Sequence, residues 1–129
     1  MQFEKLDVWK RSARLASNVY KLMATCKDYG FKDQITRSAL SIPSNIAEGL
    51  ERDSQVDQAR FLYYGKGSAG ELVTQIYIGI DIGLIERELG LKLITESKEV
   101  ASMLAALIKI RKSSIKEPEP NYNLDEPRT

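Results

Sequence analysis

The chain contains no histidine and a single cysteine among its 129 residues. Without histidine there is no Ser-His or Cys-His nucleophile pair and no access to the commonest general base near neutral pH. The Glu-x-x-His ligands of di-metal helix bundles and the usual zinc sets are excluded as well. No catalytic residue, cofactor or metal is therefore assigned, and the chain is not expected to be an enzyme. Cys26 alone cannot close an internal disulfide, which fits an intracellular, cytoplasmic protein. Residues 1–15 include Glu4, Asp7, Lys10 and Arg11 and lack the apolar core of a signal peptide. No run approaches the roughly 18 consecutive apolar residues that a membrane span needs, so no membrane partner is expected. Charge of one sign is also scarce. The formal net charge is +1, which gives no global attraction to a polyanion.

Helical periodicity fills most of the chain. Leu6, Trp9, Ala13, Ala16, Tyr20 and Met23 form an unbroken heptad-type stripe, which predicts a first helix over about 5–27 ending before Asp28-Tyr29-Gly30. A second apolar line, Val8, Leu15, Val19, Leu22 and Cys26, runs beside it. One bundle seam does not need both lines, so Val8, Leu15, Val19 and Leu22 are assigned to a subunit interface. Lys10, Arg14 and Lys21 fall on the opposite face, with Arg11 nearby. This cationic stripe is the candidate contact for RNA or DNA phosphates.

A second helix over about 32–52 follows from Ile35, Ala39, Ile42, Ile46 and Leu50. Pro43 interrupts it, and an internal proline costs about 3 kcal/mol by removing one hydrogen bond and crowding the preceding turn. The helix either kinks at Pro43 or restarts there, with Ser41 and Ser44 available to satisfy the freed backbone. Ser54 with Asp57 three residues on reads as an N-cap for a third helix over about 54–87. Its stripe is Ala59, Leu62, Ala69, Leu72, Val73, Ile76, Tyr77, Ile80 and Leu84. Residues 76–82 also alternate with period two, but a lone strand would have no partner. Gly90 is taken as the break before a fourth helix over about 91–112. The expected architecture is all-α, an antiparallel up-down four-helix bundle. Residues 113–129 hold Pro118, Pro120, Pro127 and four acids and are expected to be a disordered tail.

Gly65-Lys66-Gly67-Ser68-Ala69-Gly70 matches the dinucleotide-binding pattern in its letters, but it falls within a helical stripe and without the strand–turn–helix setting that the pattern requires. Small residues that let the third helix approach a neighbour are the expected reason for it. Glycine in a helix costs roughly 1 kcal/mol relative to alanine, so close packing should compensate. Arg37, Ser41, Pro43, Asn45, Glu48 and Glu71 form a polar set beside the apolar stripes. Arg37 is expected to neutralise a glutamate and Asn45 to cap backbone freed by Pro43. Glu48 with Glu71 is the one carboxylate pair that could hold a metal or move a proton.

Ser41-Ile42-Pro43-Ser44-Asn45-Ile46-Ala47-Glu48-Gly49 resembles the signature of the bacterial four-helix-bundle family called intervening-sequence proteins. Their reading frames are often found inside insertions in large-subunit ribosomal RNA genes. Leu6-Asp7-Val8-Trp9-Lys10, Gln34-Ile35-Thr36-Arg37, Phe61-Leu62 and Gly67-Ser68-Ala69-Gly70-Glu71-Leu72 extend the resemblance over about residues 3 to 112. Gly65 and Gly70 depart from it, since bulkier residues are more usual there. The resemblance implies an antiparallel bundle assembled as a ring-like homopentamer, with no catalytic residues. It also implies similarity to the accessory protein of diversity-generating retroelements, which binds nucleic acid and partners a reverse transcriptase. The expected partners are thus a second copy of the chain, structured ribosomal or other RNA or DNA, and, as the alternative, a protein for which the bundle is a scaffold.

Overall fold

The structure, a computed structural model, describes residues 1–116. After a short 3-10 helix, Gln2–Lys5, come α1 (Asp7–Leu22), α2 (Tyr29–Leu50), α3 (Gln55–Asp81) and α4 (Arg87–Lys116). No strand occurs among the described residues, and the period-two segment at 76–82 is helix through Asp81. α1 packs on α2 and α4, and α3 packs on α2 and α4. α1 and α3 lie on one diagonal of the square and α2 and α4 on the other. With short connections, each helix runs antiparallel to its chain neighbour. The α3–α4 seam is the most extensive and the α1–α4 seam the thinnest.

The core is aliphatic. Leu15, Val19, Met23, Ile35, Ile42, Ile46, Leu62, Leu72, Ile76, Val100 and Leu104 are fully buried. Removing side-chain volume at such a site, as in Ile46→Ala or Leu72→Ala, costs about 2–5 kcal/mol. The third-helix stripe holds as far as Ile80, except that Tyr77 is exposed; α3 ends at Asp81, so Leu84 lies beyond it.

The helix ends differ from expectation at three places, each for a local reason. α1 stops at Leu22, and Asp28 caps α2 by accepting from the Phe31 amide at 3.1 Å. Gly30 therefore lies in the first turn of α2 and stops nothing. The break between α3 and α4 is at Gly83, the only residue with positive φ (81°) among those described. A left-handed turn needs glycine there. Glu86 then accepts from the Glu88 and Leu89 amides, both at 3.0 Å, and starts α4 ahead of Gly90. Gly90 is a packing residue: an added Cβ would lie 2.7 Å from Ile80 Cδ1. α4 continues to Lys116, past the expected end at 112. The rest of the expected disordered tail lies outside the described residues. Ser54 caps α3 as expected, accepting from the Asp57 amide at 3.1 Å.

α2 is continuous through Pro43, so it does not restart there. The proline lies on the buried side, where neighbouring side chains hold the turn in place. Neither Ser41 nor Ser44 bonds the carbonyl that Pro43 leaves without a donor. Ser41 Oγ instead lies 2.8 Å from Ser68 Oγ on α3. Asn45 Nδ2 donates to the Ser41 carbonyl at 2.8 Å and to its hydroxyl at 2.9 Å. Close approach requires none of the three pattern glycines. A Cβ on Gly65 would make ordinary van der Waals contact with Ile42 O and Leu104 Cδ1 at 3.5 Å, while Gly67 and Gly70 face open space.

Two glycine substitutions should therefore move stability in opposite directions. Gly67→Ala fills open space on an exposed helix and should raise stability by about 0.5–1 kcal/mol. A Cβ at position 79 would lie 2.5 Å from Ile85 Cδ1, so Gly79→Ala should lower stability by about 1–3 kcal/mol. Urea midpoints of the two variants check both signs.

Candidate functional site

The rotation of α1 about its own axis decides which of its two apolar lines meets the core. Val8, Leu15 and Val19 are 3%, 1% and 0% exposed. They pack inside the protomer and cannot form the subunit surface assigned to them. Leu22 is half-buried against the same core. The physical reason is that the helix centres its buried arc between the two lines, on Val8, Ser12, Leu15, Ala16 and Val19. Ser12 can sit there because its hydroxyl donates back to the Trp9 carbonyl at 3.0 Å.

The arc displaced outward is part of the heptad stripe itself. Trp9, Ala13, Ala16 and Tyr20 line one wall of a surface groove whose other wall is Leu40, Pro43, Ser44 and Ala47 of α2. Phe3 closes one end, its ring edge-on to Trp9 at 5.1 Å. The cavity measures about 620 Å³. Tyr20 is 47% exposed and Leu40 49%. The segment around Pro43 thus faces two ways. Ile42, Ile46 and Gly49 are buried, while Leu40, Ser44 and Ala47 face the groove. Pro43 is buried toward the core and still borders the groove floor. This groove is the candidate functional site, and the sequence marked its α1 wall as core.

The cationic stripe separates into members with different environments. Lys10, Arg14 and Lys21 are exposed and form no ion pair among the described residues. Lys21 stands at the groove rim. Arg11 is already engaged. Its Nε donates to Glu96 Oε2 at 2.9 Å and its Nη2 to Glu96 Oε1 at 2.7 Å. Nη2 also pairs with Glu99. Arg11 therefore clamps α1 to α4 and is not available to a phosphate.

The polar set disperses in the same way. Arg37 pairs with Asp33 one turn back at 2.8 Å, not with a glutamate. Glu48 pairs with Arg52 at 2.6 Å, and Glu71 is exposed. Only Ser41 and Asn45 act together, at the α2–α3 contact with Ser68, while Pro43 borders the α1–α2 groove. No group of three potential metal ligands occurs among the described residues. Cys26 is half-buried beside the core. No helix among the described residues is long and apolar enough to cross a membrane.

The family model described as 23S rRNA-intervening sequence protein matches residues 4–106. The chain belongs to that family. Among solved structures similar to this intervening-sequence protein is one from Bacteroides thetaiotaomicron VPI-5482, described as a protein with unknown function from the S23 ribosomal protein family. It is 28% identical, with 79% of this chain and 98% of that chain covered and a TM-score of 0.74. No curated protein matches the sequence. The family match includes both walls of the groove and ends before the last turns of α4.

The Arg11 clamp has a pH signature. Hydrogen bonding to Arg11 holds the Glu96 carboxyl below its ordinary value of 4.5, against a smaller opposing push from burial. A carboxylate with a depressed folded pKa stabilises above its unfolded pKa, and that stability is lost as pH falls through the folded value. Arg11→Met should therefore lower the melting temperature at neutral pH, and the difference from wild type should shrink below about pH 4.5. Thermal melts between neutral pH and acid check the convergence.

Proposed function

We propose that this intervening-sequence protein is the protomer of a ring-like homopentamer, without enzymatic activity, that binds structured RNA, ribosomal RNA in particular, or DNA. The observation that carries this reading is the α1–α2 groove. A concave face lined by Trp9, Ala13, Tyr20, Leu40 and Pro43 keeps large apolar groups in water, and covering such a face with a second copy removes that cost. A ring with an odd number of subunits needs two different faces that meet head to tail. A second apolar surface is available on α3, which does not touch α1. Tyr77 and Ile78 are exposed there, and Ile82 follows in the next turn. Two unlike apolar faces on different sides of the protomer favour head-to-tail contacts over a two-fold dimer.

The nucleic-acid part of the reading rests on Lys10, Arg14 and Lys21, which share an exposed face of α1, with Lys21 at the groove rim. Assembly would repeat this face around a ring and multiply its weak charge. The apolar lining of the groove also favours a second reading, in which the bundle is a scaffold for another protein and touches no nucleic acid.

Solution mass measured with and without RNA tests both parts. Mass should correspond to five copies, and Tyr20→Asp with Leu40→Asp should return a folded monomer. A monomeric wild type at all concentrations overturns the ring. RNA affinity should fall at least tenfold in a Lys10→Ala, Arg14→Ala, Lys21→Ala variant and should weaken steeply with salt. Absence of RNA and DNA binding, with a protein recovered after nuclease treatment, would establish the scaffold reading instead.

A further inference from the structure

α4 carries a second set of cations, outside the groove and beyond the family-matched residues. Between Glu99 and Lys112 the helix has no acidic residue. Lys109 and Lys112 meet Lys66 and Tyr63 of α3 around a shallow cavity of about 430 Å³, with Ala105, Ile108 and Ser113 completing its lining. Among the described residues no carboxylate lines the cavity. Three exposed lysines at one concavity set up a local positive potential, which favours a ligand that brings negative charge.

The cavity is also built around an aromatic ring. Lys112 Nζ lies 4.9 Å from the centre of the Tyr63 ring and donates to its hydroxyl at 3.1 Å. That hydrogen bond, reinforced by the Lys112 and Lys66 charges, holds the Tyr63 phenol below its ordinary value. Tyr63 and its neighbour Tyr64 are both about half exposed. Tyr64 is braced edge-on by Phe61 at 5.5 Å. Phe61 in turn lies under the guanidinium groups of Arg52 and Arg60, at 4.6 and 5.1 Å. Arg52 and Arg60 are themselves paired with Glu48 and Asp57, so the cations of this cavity are its lysines, set beside Tyr63. Ammonium groups suit phosphates, and exposed tyrosine faces suit unpaired bases, which is the combination that distinguishes single-stranded nucleic acid from a simple anion or an acidic peptide.

We propose that Lys66, Lys109 and Lys112, with Tyr63 beside them, form a binding site for single-stranded nucleic acid, the lysines taking successive phosphates and Tyr63 stacking on a base. The site rests on the nucleic-acid part of the function proposed above, but not on the α1 stripe. Lys109 and Lys112 fall outside the residues that the family model covers, while Tyr63 and Lys66 lie within them.

The test is fluorescence anisotropy of the full chain with a labelled oligouridylate, a duplex of equal length and poly-glutamate as a competitor. Lys66→Gln, Lys109→Gln, Lys112→Gln should weaken oligouridylate binding at least tenfold. It should also flatten the salt dependence, by about 0.7 in the log–log slope for each phosphate that is no longer neutralised. Tyr63→Leu should weaken binding severalfold and Tyr63→Phe should not. The substituted side chains are exposed or at the surface, and circular dichroism of each variant confirms the fold. Wild-type binding that the triple variant leaves unchanged overturns this site but leaves the nucleic-acid reading in place. No wild-type binding at low salt overturns both. A preference for the duplex, or displacement by poly-glutamate as readily as by unlabelled oligouridylate, overturns the base-stacking site and leaves a charge-only surface.

Discussion

The rest of the molecule depends on how much of the α1 circumference a bundle corner can bury. α1 is apolar over two adjacent lines, and its two neighbours, α2 and α4, leave room for an arc only slightly wider than one. Val8, Leu15, Val19 and Met23 take that arc. Trp9, Ala13 and Tyr20 are then rotated to the α2 side, where they meet the outer surface of the Pro43 helix. Had the helix turned the other way, Arg11 would have left Glu96 and the α4 side would have lost its clamp. The groove and the Arg11–Glu96 pair are two results of the same rotation.

The fold was largely legible because long helices carry their own signal. The stripes of α2, α3 and α4 each name most of their buried positions, and the Ser54 cap is local chemistry that a sequence displays directly. The boundaries were less so. Gly30, Gly83 and Gly90 look alike as letters, yet one sits in a helix start, one makes the left-handed turn and one is packed under Ile80 and Ile85. Only the backbone dihedral and the neighbours separate these roles.

The site was legible only in part, and for a physical reason. Periodicity says which residues share a face, but a helix with two apolar faces does not say which one its neighbours will occupy. Spacings of three and four made Leu6, Trp9, Ala13, Ala16, Tyr20 and Met23 look like the seam. The true arc mixes both lines and includes Ser12, whose polarity is cancelled by a bond to its own helix. Long-range ion pairs are similarly invisible. Nothing in the neighbourhood of Arg11 points to Glu96, 85 residues away, so Arg11 could not be told from the exposed Lys10 and Arg14. The lysine set at the α3–α4 seam has no linear signature, because Lys66 and Lys109 are neighbours only after the hairpin closes.

In the proposed ring, the uneven attachment of α1 would tie stability to assembly. α1 has 16 residues against 30 in α4, and its seam with α4 is the thinnest in the bundle. The Arg11 clamp holds one flank of α1, while the opposite flank meets α2 beneath a groove that is still partly open to water. A copy seated in that groove would bury Tyr20 and Leu40 and hold the second flank. Whatever binds the native state and not the unfolded chain adds to stability in proportion to the logarithm of its concentration. On this argument the order of α1 and the occupancy of the groove are coupled. Loosening α1 by acid at Glu96 would weaken assembly, and emptying the groove would leave α1 held by its core residues and a single ionic clamp.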